Sequence, residues 1–244
     1  MCGYGSLLFT RDACTDGMKC LQALFRRSGA KKKQYANVDY GPYFERAVIN
    51  GTLLECRFLG KLALPSGFVV ACDPLLGLHD ALPFAKRMPP GEYPVSIVLA
   101  GRRDRRRNAL IRLAFSDKRA VHWELALVPG QRYTGTQQYY GFRAEAGIGC
   151  LCDAHSQKHY NRYLERFFRE HPDSNIYDTL FEEAFGHRNN IDAEGCCFNF
   201  YLPSRPRLNV IMFNTGYGDG IYPAYWGVAK DGEVCSLVID FMVL

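Results

Sequence analysis

Five carboxylates stand where a chain could put them to chemical use. Asp73 closes the apolar stretch "GFVVACDP", Glu145 and Asp153 flank the glycine turn of "GFRAEAGIGCLCD", Asp219 sits between glycines in "NTGYGDGIYPAYWG", and Asp240 interrupts the run "SLVIDFMVL". Carboxylate oxygens hold a divalent cation at about 2.3–2.6 Å or exchange protons with a substrate. A cation held this way lowers the pKa of bound water and generates a nucleophile for hydrolysis. Asn214 and Tyr222, in the same aromatic and glycine-rich stretch as Asp219, add an amide and a phenol. Asp73, Glu145, Asp153, Asn214, Asp219 and Tyr222 are therefore the ligand-binding candidates, and a divalent cation is the cofactor they could hold. A shared ion requires Asp153 and Asp219 to lie within about 8 Å of each other. The competing reading is turn chemistry, in which Asp at a strand end or before glycine bonds its own backbone. An acid at position 240, inside an apolar strand, needs a partner or a wet face, because an unpaired buried charge is costly.

Other reactive groups form weaker patterns. The start "MCGYGSLL" resembles the Cys-Gly start of class II glutamine amidotransferases if Met1 is removed, and "YGSLL" resembles the tyrosine-glycine-serine loop of γ-glutamyl cyclotransferases, but nothing downstream restores either pattern. His155 and His159 have the i, i+4 spacing of two zinc ligands, yet no Glu follows His155 in "HSQKH", and a solvent-facing pair is the simpler reading. There is no Gly-x-Ser-x-Gly elbow, and no lysine follows the glycines of "GYGDGIYP" as a phosphate loop requires.

The elements that must position these residues are mostly strands. From Thr52 the sequence alternates apolar and polar positions rich in β-branched and aromatic side chains, broken by turn residues. "LLECRFLGKLAL" and "GFVVACDP" flank a Pro65-Ser66-Gly67 turn, and "VSIVLAG", "NALIRLAFS" and "AVHWELALV" follow with short links. An antiparallel meander over residues 52–128 is the economical arrangement. The last fifty or so residues return to strands, "GCCFNFYLP", "LNVIMFN", "IYPAYWGVAK" and "EVCSLVIDFMVL", with a tight hairpin predicted at Asp231-Gly232. Between the two β regions, Tyr160, Tyr163, Leu164, Phe167 and Phe168 make one helical stripe that stops at Pro172. Tyr177, Leu180, Phe181, Ala184 and Phe185 make a second stripe, so a helical hairpin is expected. Met18, Leu21, Leu24 and Phe25 predict one N-terminal helix over residues 16–27. The fold class is thus α+β, mainly antiparallel β-sheet, in a single domain over residues 1–244, with residue 135 as the alternative boundary.

Composition narrows the function classes. The 244 residues are 48% hydrophobic and 14% aromatic, enough for a sizeable core. The formal charge of +5 owes much to Lys31-Lys32-Lys33 and to the run Arg102–Arg107. Two isolated runs read as solvated loops and not as the continuous basic face of a nucleic-acid binder. Ten cysteines without a Cys-x-x-Cys, behind a start that lacks signal-peptide features, predict reduced thiols in a cytoplasmic protein. No apolar run approaches the roughly 18 residues of a membrane helix, so no membrane partner is expected, and the partner is an unknown small molecule or protein.

"LALPSGFVVACDPL", "PPGEYPVSIVLA", "HWELALVPG", "EAGIGCLCD" and "NTGYGDGIYPAYWGVAKDGEVCSLVIDF" together resemble the uncharacterised domain-of-unknown-function family 4241, in the family's order across roughly residues 60–241. The resemblance implies one continuous domain and groups Asp73, Glu145, Asp153, Asn214 and Asp219 in family-like segments. It carries over no catalytic residue. The function expected is a soluble binding or interaction module with a polar cleft, with a metal-assisted hydrolase as the alternative.

Overall fold

The computed structural model describes residues 34–102, 105–135, 140–181 and 197–244. Within the compact unit Lys33–Leu244 the strands are β1 (Val48–Ile49), β2 (Thr52–Leu64), β3 (Val69–Cys72), β4 (Gly91–Ala100), β5 (Arg107–Ala114), β6 (Ala120–Leu125), β7 (Phe142–Ala144), β8 (Ile148–Asp153), β9 (Cys197–Leu202), β10 (Arg205–Asn214), β11 (Gly220–Tyr222), β12 (Ala224–Ala229) and β13 (Val234–Asp240). Among the described residues there is one α-helix, α1 (Ala154–Glu170), which follows β8 directly.

All pairings between these strands are antiparallel. A seven-stranded sheet has the order β1-β2-β4-β5-β13-β12-β6, a four-stranded sheet the order β3-β8-β10-β9, and β11 pairs with β7. Strands from both sides of residue 135 enter the large sheet. The period of two in the sequence is what makes the layers. On β4, Val95, Ile97 and Leu99 face a core shared with the small sheet, while Val98 and Ala100 face the opposite side. On β10, Ile211 and Phe213 meet the large sheet, while Val210 and Met212 turn away toward α1. Full burial of such a side chain contributes about 1.5–3 kcal/mol, so strands loaded on both faces are central by necessity. Tyr40 and Phe44 pack on the outer face of the large sheet, against its own Val98, Leu110 and Trp123.

A buried amide ties the sheets together. Asn209 on β10 accepts from Ala63 N (3.0 Å) and donates to Lys61 O (2.8 Å) across the interface, and its amide also donates to Asn199 Oδ1 (2.8 Å). β2 reaches over at this point through a bulge at Gly60, whose φ is +110° and where a Cβ would lie 2.7 Å from Asn199 Nδ2.

The β-rich, antiparallel character matches the sequence reading, and several details differ. Residues 52–128 do not form one meander. β3 leaves for the small sheet, and the β12–β13 hairpin inserts between β5 and β6, because β12 pairs with β6 and β13 with β5. The "IYPAYWGVAK" strand is split at Pro223 into β11 and β12, since proline has no N–H for a ladder. The Asp231-Gly232 hairpin is present, with Gly232 at φ +86°. The expected helical hairpin is not found: after α1 the described residues contain a π-helical turn, Tyr177–Phe181, and the rest of the second stripe lies outside the described residues. The N-terminal helix, the "MCGYGSLL" start and Lys31–Lys33 lie outside them as well. Asp240 has the partner its position demanded. Tyr40 hydroxyl donates to Oδ2 (2.9 Å) and Met242 N to Oδ1 (2.8 Å), while burial raises the carboxyl above its ordinary range against the lowering effect of those two bonds.

Candidate functional site

The turn after β10 is assembled from its backbone outward. Thr215 N donates to Gly147 O (2.9 Å), Gly218 N to Thr215 O (2.7 Å), Thr215 Oγ1 to Gly218 O (2.6 Å), and Tyr222 hydroxyl to Gly218 O (2.6 Å). Two side chains from the start of β5 hold it from below: Asn108 Nδ2 donates to Asn214 O (2.7 Å) and Arg107 Nη1 to Gly216 O (3.2 Å). Gly216 is required by close approach, since a Cβ there would lie 2.7 Å from Phe241 O, and Gly218 by its φ of +101°. The stretch is therefore a wall whose shape is set by these bonds and close approaches.

Facing it are the turn after β3, the β7–β8 turn and the segment beyond α1, and the four enclose an open cleft of about 800 Å³. Leu75, Leu76, Phe168 and Tyr177 give it apolar sides, and Asn175, Asn214 and Thr215 give it polar ones. Among the described lining residues one carries a formal charge, Arg107. Its guanidinium lies 4.7 Å from the centroid of the Tyr217 ring, a cation–π contact that holds it while the Gly216 bond occupies one of its five N–H groups. A second opening of about 480 Å³, lined by Arg105, Gly101 and Thr52, shares Arg107 and Tyr217 with the first.

The six residues singled out from sequence fall into different roles. Asp73, 1% exposed, accepts four backbone N–H bonds: Leu75 (2.9 Å) and Leu76 (3.3 Å) on Oδ1, Glu145 (2.9 Å) and Ala146 (2.8 Å) on Oδ2. It pins two walls of the cleft to each other. Glu145 contributes its N–H to that clamp while its side chain is exposed and paired with Arg143 at 3.0 Å. Asp153 is fully buried as the N-cap of α1, accepting from His155 N (2.7 Å) on Oδ1 and from Ser66 N (3.0 Å) and Oγ (2.7 Å) on Oδ2. Asn214 lines the cleft. Tyr222 is buried between Phe142 and Phe241, and Asp219 is exposed at the tip, beside Gly147.

Asp73, Asn214 and Asp219 thus gather at one end of the sandwich, and Asp153 stands at the other. β8 pairs Ile148 with Asn214 and runs five residues on to Asp153, which is about 16 Å of strand. Two oxygens on one cation at about 2.3–2.6 Å each are never more than about 5 Å apart, so Asp153 and Asp219 do not share an ion. No group of three His, Cys, Asp or Glu able to hold a metal occurs among the described residues. His155 and His159 stand with ring centroids 4.7 Å apart, and the charges that act with burial to lower His159 are cationic, His155, Arg205 and Arg162, an environment that repels a metal ion.

Sequence reasoning missed Arg107, which it had placed in a solvated run. The available signal was its position as the first residue of an apolar strand, "RNALIRLA". Among the described residues no helix is long and apolar enough to cross a membrane. Nothing matches the chain among curated proteins or among solved structures. Residues 62–239 match the family described as Protein of unknown function (DUF4241), the family the sequence motifs resembled, and the chain belongs to it.

Proposed function

We propose that this protein is a soluble binding module whose end cleft takes a small organic anion carrying an apolar or aromatic group. The observation that carries the reading is Arg107: a guanidinium fixed by Tyr217 and Gly216 O in a cleft whose other described lining residues are uncharged and in good part apolar. A guanidinium in such a setting binds a carboxylate or phosphate through paired N–H bonds, while Leu75, Leu76, Phe168 and Tyr177 offer the apolar contact that most ligand sites supply. Asn214 and Thr215 orient the ligand, and Asp73, Glu145 through its N–H, and Tyr222 hold the walls. The reading includes a reducing, cytoplasmic setting, in which buried thiols such as Cys72, Cys150, Cys152 and Cys235 act as small core residues. The hydrolase alternative has no support in the carboxylates, because the bonds to Asp73 and Asp153 occupy both oxygens of each.

Phenyl phosphate and N-acetylphenylalaninate titrated by calorimetry test the reading. Saturable binding of either to the wild-type chain is expected, with an affinity about 10- to 100-fold weaker in Arg107→Gln, the equivalent of a charge-assisted hydrogen bond of about 1.5–3 kcal/mol. Equal binding by the variant, or no binding of either probe, overturns it.

A further inference from the structure

α1 buries Tyr160 and Phe167 against the small sheet and turns a second stripe outward. At 100° per residue, Lys158, Arg169, Arg162, His155, Arg166 and His159 occupy successive positions across an arc of about 100°, and the helix's two acids, Glu165 and Glu170, fall on its margins. Lys158, Arg162, Arg166 and Arg169 are exposed and, among the described residues, none forms an ion pair. Arg205 of β10 joins the face, close enough to act on His159. The spacing works against the helix itself. Lys158–Arg162 and Arg162–Arg166 are like charges at i, i+4, where an ordinary solvated helix alternates signs.

We propose that this face, His155 to Arg169 with Arg205, binds the phosphate backbone of a nucleic acid. The stripe is about 21 Å long, and its cations recur every three or four residues, so that several engage one polyanionic strand together. Four arginines to one lysine suit phosphate oxygens, which the guanidinium meets with paired donors. The chemistry separates this partner from two others. An interfacial membrane helix inserts its apolar face, and here that face is already packed on the sheet. A protein interface needs an apolar centre, and the arc has none. The Lys31–Lys33 and Arg102–Arg107 runs play no part in the inference, which is independent of the end cleft.

The test is fluorescence anisotropy of a labelled, mixed-sequence 20-nucleotide single-stranded RNA. Four phosphate contacts give a slope of log K against log[salt] of about −2.8, and hence an affinity loss of about 50-fold between 50 and 200 mM salt. Arg162→Gln/Arg166→Gln removes two contacts, so the slope falls to about −1.4. Glu165→Gln removes a flanking acid and tightens binding. Helical circular dichroism verifies that the variants are folded, and Arg169→Gln, with a slope reduced by about 0.7, replaces the double variant if it is not. Absence of salt-dependent binding, an unchanged slope in the folded arginine variants, or binding to phosphatidylserine vesicles without binding to RNA overturns the proposal.

Discussion

Truncating Asp73 separates its role as an internal clamp from any role as an ion ligand. Its carboxylate is 1% exposed and takes bonds from Leu75, Leu76, Glu145 and Ala146 N–H, three of them at 2.8–2.9 Å. Hydrogen bonds to a charged acceptor each contribute about 1.5–3 kcal/mol net, but four on one group do not add. Leu76 and Ala146 lie at the surface, so water reaches part of the space that Asp73→Ala leaves. The donors it cannot reach remain unsatisfied, at about 1–3 kcal/mol each. A loss of about 3 kcal/mol is therefore expected for Asp73→Ala, and about 2 kcal/mol for Asp73→Asn, which keeps one acceptor oxygen but turns an NH2 group toward two donors. In a unit of this size 3 kcal/mol lowers Tm by about 6–12 °C. The assay is urea unfolding followed by the fluorescence of Trp123 and Trp226, both buried. A loss below about 1 kcal/mol for Asp73→Ala refutes the clamp. So does a divalent cation that stabilises the wild-type chain and not the variant, since that would make Asp73 a ligand.

Two further substitutions probe the frame around the cleft. Gly67 has φ +77°, and a Cβ there would lie 2.0 Å from Met88 O, which its own bond to Met88 N holds in place. Gly67→Ala is expected to cost more than about 2 kcal/mol in the same urea titration, and a neutral result would show that the β2–β3 turn can relax. Asp240 supplies the pH dependence. Its carboxyl is raised by burial, so between the ordinary carboxylate value and the folded value the native state holds more protons than the unfolded chain. Stability then increases as the pH falls through that window. The wild-type chain is expected to gain on Asp240→Asn between pH 7 and pH 4, and a flat or opposite difference in unfolding free energy refutes the assignment.

What the sequence conveyed, and what it could not, follows from the range of each signal. Alternation tells which face of a strand is buried, so the strands of β4, β5, β10 and β13 were legible. It does not say which strand lies beside which, and the meander expected over 52–128 gave way because Tyr225↔Leu125 and Leu237↔Leu113 pair across 100 and 124 positions. Asp153 carries a local signal as an N-cap, since it stands directly before the helical "AHSQKHY". Half of Asp73's role was local, since its bonds to Leu75 and Leu76 are ordinary Asx chemistry. The other half, to Glu145 and Ala146, spans 72 and 73 positions and leaves no trace in "ACDPLLG". The partner that fixes Arg107 was hidden for the same reason, because Gly216 O is 109 positions away.

The distribution of charge at the end of the sandwich explains why the carboxylates drew attention and why they are poor candidates for chemistry. A buried carboxylate is tolerated only when its oxygens are bonded, and the four bonds to Asp73 fill the positions a proton or a cation would take, while three of the four on the fully buried Asp153 are filled. For either to act as a base, a clamp or a helix cap would have to open first. Arg107 has the reverse arrangement. Its bond to Gly216 and its contact with Tyr217 fix the guanidinium without neutralising it, so its charge remains available to whatever enters the cleft. The glycine-rich stretch at 214–220 brings backbone close to Gly147, Phe241 and Arg107 at once, and what it supplies to the cleft is the shape of a wall more than the acidity of Asp219.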